Sequence, residues 1–122
     1  MTRKGEGAVL WSSDSGGRGV LVGGTAPPEV VELWDWILGP GDQHSSEAHT
    51  PGTKELLQVQ QGTVMVGIAD QTIILEVGGD SVTFPPGDVA HSYSNSTSEP
   101  ARFSLAVFER GVGSGHREAG NA

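Results

Sequence analysis

Short apolar segments with a period of two, each cut off by glycine, proline or aspartate, run through most of this chain. The alternation is plain in Glu55, Leu57 and Val59, in Val64, Val66 and Ile68, in Ile73, Leu75 and Val77, and in Phe103, Leu105 and Val107. A period of two puts every second side chain on one face of an extended strand, so such a chain folds as half-buried β-strands. Turn signals punctuate it: Gly39-Pro40-Gly41-Asp42, Pro51-Gly52, Gly62, Asp70-Gln71, Gly78-Gly79-Asp80 and Pro85-Pro86-Gly87. The 19 glycines and 7 prolines fit many turns and few helices. About eight or nine strands at this spacing predict an all-β sandwich or barrel. No helical period competes; around residues 26–32, Pro27-Pro28 and the β-branched valines oppose one.

The segment 30–38, VVELWDWIL, is the most hydrophobic, and its Trp34 and Trp36 share a strand face. Further strands are expected at 8–11 and 19–22. Gly62 reads as a hairpin between two alternating runs, and Asp70-Gln71 as a second turn. With 122 residues the chain has material for one core. The expected organisation is a flexible N-terminus at 1–7, one domain at 8–110 and a disordered tail at 111–122.

Composition removes several functions. Without cysteine there is no disulfide, thiolate nucleophile or cysteine-built zinc site. Seven scattered Lys and Arg in a chain of net charge −8 cannot track a phosphate backbone, so this chain by itself is expected to bind no nucleic acid. No apolar run is long enough for a membrane span, and no apolar stretch follows the basic start as in a secretory signal. The default location is the cytoplasm.

Four residues then stand out. Glu47 and His49 are two apart and would share a face of an extended chain. Glu55 falls on the face of Leu57 and Val59, so an ionisable group points at the core. That placement is costly unless the group is paired, hydrogen-bonded or metal-bound. His91 shares a face with Tyr93 in a much later strand. Two carboxylates and two imidazoles on inward faces suit a divalent transition metal. The plain alternative is a vestigial pocket in which Glu55 and His49 pair. Trp34, Trp36, Phe84 and Tyr93 are candidates to line a ligand pocket, although aromatics at strand spacing also serve as ordinary core. His44, in a polar stretch, reads as a solvated loop histidine. Asn95 reads as a structural residue that ends a strand.

The residues resemble both motifs of the cupins. The first runs Gly41, five residues, Glu47-Ala48-His49, five residues, Glu55, six residues, Gly62. The second runs Gly79, five residues, Pro85-Pro86-Gly87, three residues, His91, three residues, Asn95. Glu47 stands where the family has its first histidine, and the gaps before Glu55 and His91 are slightly long. The resemblance implies a double-stranded β-helix, a small jelly-roll-like barrel of two antiparallel sheets. It also implies a metal at His49, Glu55, His91 and Glu47. With two carboxylates, Zn, Mn, Fe or Ni suits such a site. Residues 31–36, 46–57 and 100–103 resemble, more narrowly, the C-terminal cupin half of bacterial XRE-type helix-turn-helix regulators. That resemblance implies a small-molecule sensor. The apolar first strands and the Trp-rich strand offer edges that a second copy could cover, so a homodimer is expected. The DNA-binding half of such regulators is expected to lie outside this chain. The alternative is a small metal-dependent cupin enzyme, dioxygenase- or isomerase-like, with Glu47 as general base.

Overall fold

The structure, a computed structural model, describes residues 7–46, 53–76, 81–84 and 90–109. They form ten strands: β1 (Ala8–Ser12), β2 (Arg18–Gly24), β3 (Val30–Leu38), β4 (Gln43–Ser46), β5 (Lys54–Gln61), β6 (Thr63–Ile68), β7 (Gln71–Glu76), β8 (Ser81–Phe84), β9 (His91–Ser94) and β10 (Ala101–Glu109). A six-stranded sheet has the order β1-β2-β3-β10-β5-β8, and a four-stranded sheet the order β4-β9-β6-β7. Every pairing is antiparallel. This is the all-β, two-sheet barrel that the alternation predicts. The expected flanking segments at 1–7 and 111–122 lie, but for Gly7, outside the described residues.

Alternation fixes which face of each strand turns inward. Along β3 the buried positions are Val30, Glu32, Trp34, Trp36 and Leu38, and along β10 they are Ala101, Phe103, Leu105, Val107 and Glu109. Leu57 and Val59 from β5 and Val64 and Val66 from β6 complete a core that joins both sheets. Trp36 and Phe103 stack with ring centroids 6.1 Å apart. Gly19 makes room for this packing, because a Cβ there would lie 2.7 Å from the Trp36 ring.

Two turns differ from the sequence reading. Gly62 is a corner, not a hairpin: β5 belongs to the six-stranded sheet and β6 to the four-stranded one. The residue has φ 73°, and a Cβ would sit 2.6 Å from the Pro100 carbonyl oxygen. Only glycine allows both the conformation and the approach. The β6–β7 hairpin turns at Ala69-Asp70, with Ile68 paired to Gln71, one residue earlier than Asp70-Gln71. Ala69 adopts φ 54°, which alanine's propensities do not advertise.

A polar clasp closes one end of the barrel. Asp42 accepts hydrogen bonds from Ser13 Oγ at 2.6 Å, Ser15 Oγ at 2.7 Å and the Gly39 amide at 2.7 Å. Burial pushes the Asp42 carboxyl upward, but these donors together hold it below its ordinary value. Asn95 donates to the carbonyls of Leu38 and Glu99, and its own amide donates to the Asp42 carbonyl. Asn95 is thus the structural strand-end residue that its position suggests.

Candidate functional site

Glu55 enters from β5 of the six-stranded sheet and is 1% exposed. Its Oε1 accepts a hydrogen bond from Tyr93 Oη at 2.6 Å, and its Oε2 lies 2.9 Å from His91 Nε2. Tyr93 and His91 are two apart on β9 of the other sheet, so they share its inward face. A buried carboxylate is thereby held by two groups across the gap between sheets, which resolves its burial cost. Burial, then the Glu55 charge and its hydrogen bond, raise the Tyr93 phenol well above its ordinary value. Tyr93 therefore stays protonated and donates.

His44 belongs to this interior, against the loop reading of the sequence. It lies on β4, opposite Tyr93 in the register with β9. Its ring is half-buried, 4.6 Å from the Trp36 ring, 5.9 Å from Trp11 and 6.3 Å from Tyr93. Burial pushes its imidazole below the ordinary histidine value. His91 adds to that shift and Glu55 opposes it. Sequence reasoning missed this residue because β4 is entirely polar, QHSS, and hydrophobic alternation is silent there. The signal that remained was the turn at 39–42, which sends the chain back across the tryptophans of β3.

Of the proposed metal ligands, Glu55 and His91 are brought together, while Glu47 and His49 lie outside the described residues. The pairing considered for Glu55 and His49 is accordingly described only on its Glu55 side, where the partners are His91 and Tyr93. Among the described residues no group of three or more His, Asp or Glu is placed to hold a metal ion. The two described donors, an imidazole and a carboxylate, are of the type such an ion takes; ligand bonds of about 2.1 Å at roughly 90–110° would set donor atoms about 3.0–3.4 Å apart. The 2.9 Å between His91 Nε2 and Glu55 Oε2 is close to that range. Of the pocket candidates, Trp36 and Tyr93 face the His44 ring. Trp34 stacks on Trp36 at 5.9 Å and donates from Nε1 to Glu32 at 3.1 Å. The Phe84 side chain lies outside the described residues, though its backbone pairs with Glu55.

A family model described as Cupin domain (Cupin_2) matches residues 34–108. The solved structures similar to the chain include the Cupin_2 domain of an XRE family transcriptional regulator from Enterobacter cloacae. It is 30% identical, with a TM-score of 0.59, over 63% of this chain and 79% of that one. An HTH_3 family transcriptional regulator from Vibrio cholerae is 24% identical with a TM-score of 0.67, over 76% of this chain. The match spans 51% of that regulator, about half its length. A Cupin 2 conserved barrel domain protein from Salinispora arenicola is 25% identical, with a TM-score of 0.53, over 78% of this chain and 76% of that one. No curated protein sequence matches the chain.

Proposed function

The chain belongs to the cupin-domain family, and from that premise we propose that its barrel is the small-molecule sensor of a bacterial transcriptional regulator. The observation that carries the reading is the Glu55 carboxylate, sunk between the sheets and held by Tyr93 and His91. A protein gains little stability from such a group compared with a packed apolar one, so its presence favours a binding role. In this reading Glu55 and His91, with Glu47 and His49, hold a divalent ion of the Zn, Mn, Fe or Ni class. The ion, when bound, supplies Lewis-acid coordination for a ligand oxygen. The Tyr93 hydroxyl keeps Glu55 oriented through the oxygen that His91 does not face. Likeness to regulator cupin domains supports the sensor role over an enzymatic one. The regulator works in the cytoplasm, and its DNA contacts belong to another domain.

The proposed assembly is a homodimer. β3 is hydrogen-bonded on both sides, so the Trp-rich strand offers no edge; this corrects the expectation from sequence. Among the described strands the outermost on that side is β1, where Val9 and Leu10 are exposed. Val31, Leu33 and Leu56 add an apolar outer face to the same sheet.

The test is elemental analysis and thermal denaturation of the purified chain after repletion with Zn, Mn, Fe and Ni in turn. Stoichiometric metal and a raised Tm are expected, both lost in His91→Ala and Glu55→Gln. No metal uptake, together with no stabiliser in a broad small-molecule screen, overturns the sensor reading.

A further inference from the structure

Two features of the six-stranded sheet stand back to back. On its inner face Glu55 of β5 meets His91, and the register sets Glu55 opposite Val107 of β10. On its outer face lies a hollow of about 240 Å³ lined by Val31, Lys54, Leu56, Ala106, Val107 and Phe108. Lys54 and Leu56 are the two neighbours of Glu55 along β5, and Ala106 and Phe108 are the two neighbours of Val107 along β10. Side chains alternate between the faces of a strand, so the hollow is walled by the same backbone that carries the site.

The outer face is complementary to a second copy of itself. Leu33, Ala106 and Leu56 form one cross-strand row over β3, β10 and β5. Both leucines are exposed, and the alanine between them leaves a dip. Neighbouring strands lie about 4.8 Å apart. A two-fold axis parallel to the strands, midway between β3 and β10, therefore sets Leu33 of each copy over Ala106 of the other. Such reciprocity is what a symmetric dimer requires. Charge agrees with it. Arg18, Lys54 and Arg102, the three Lys and Arg among the described residues, are exposed on this sheet, whereas Glu32, Glu55 and Glu109 are buried. The same axis lays β10 with its Arg102 along β3 of the other copy, which carries Asp35, so cation meets carboxylate.

We propose that a second copy seats its Leu33 in this hollow, and that metal binding at Glu55 and His91 is linked to dimerisation through β5. This rests on the sensor reading above and adds how a filled site is reported. Glu55 and His91, committed to one ion, hold β5 against β9. Holding β5 also holds Lys54 and Leu56, the wall on which the Leu33 of the second copy packs. A wall already in place loses less freedom on docking, so the loaded barrel dimerises more tightly. By reciprocity the dimer binds the metal more tightly than the single copy does.

Sedimentation equilibrium of the full chain, in EDTA and then with Zn, Mn, Fe or Ni at saturation, gives the dimer dissociation constant in each state. A metal that loads is expected to tighten the dimer at least about fivefold. Leu33→Asp and Ala106→Trp, both on the outer face, are expected to weaken it at least about tenfold. Both variants are also expected to bind the metal more weakly than wild type at a concentration where wild type is dimeric. In Glu55→Gln the dimer is expected to ignore the metal. Should that variant fail to fold, wild type and the two outer-face variants decide alone. A dissociation constant that a loaded metal leaves unmoved, or an undiminished dimer in Leu33→Asp, overturns the inference, while metal uptake leaves the sensor reading standing. If no metal loads, the linkage falls too, and the small-molecule screen above decides the sensor reading.

Discussion

Glu55 accepts a hydrogen bond from Tyr93 on Oε1 and has the His91 ring nitrogen 2.9 Å from Oε2, with almost no access to water. Tyr93→Phe keeps the ring and removes the donor, leaving a carboxylate oxygen short of a partner. Urea denaturation is expected to show a loss of about 2 kcal/mol. Asp42 gives the acid counterpart at the barrel's end. Its carboxyl is held below the ordinary aspartate value of 3.8, so on acidification the unfolded chain takes up protons first. The stabilisation is complete above that value and drains away as pH falls through the lower, folded-state value. Asp42→Asn is expected to cost about 2 kcal/mol at pH 7. Denaturation repeated at descending pH is expected to show the gap to wild type closing below about pH 4. The inward aim of Glu55 and Trp36 was legible because each shares a period of two with apolar neighbours, and Tyr93 was paired with His91 only by their shared face. His44 was not legible, since a residue flanked by Gln43, Ser45 and Ser46 shows no such neighbours.

At the scale of elements, alternation located strands but not their sheets. β5 and β6 are separated by a single glycine and read as a hairpin, yet they part into different sheets. Hydrophobic pattern records which face is buried; it carries no record of which neighbour a strand takes. The corner depends on φ 73° at Gly62 and on its approach to Pro100. Gly62→Ala meets both a strained backbone and a carbonyl oxygen at 2.6 Å. It is expected to destabilise by about 2–3 kcal/mol, read as a lowered urea midpoint with an unchanged slope. The apolar strand β3 matched its expected span of 30–38, while β10 runs two residues past each end of the alternation at Phe103, Leu105 and Val107.

For the whole molecule, the outer face of the six-stranded sheet differs from the rest of an acidic surface. Leu33 and Leu56 are 49% and 56% exposed, beside Arg102 bound bidentately to Asp35 at 2.8 and 2.9 Å. A chain of net charge −8 meets a second copy with least repulsion where carboxylates are few and already neutralised. Sedimentation is expected to give twice the 12.7 kDa of one chain, and Leu33→Asp with Leu56→Asp to give a folded single copy. The family match and the two-sheet plan were readable in the motif positions between Gly41 and Asn95. The assembly was not, because exposure is a property of the folded surface. The 2.9 Å contact between Glu55 and His91 joins a strand of one sheet to a strand of the other. It acts as a rivet through both plates of the shell, and whatever draws its two ends apart or together sets how firmly those plates are clamped.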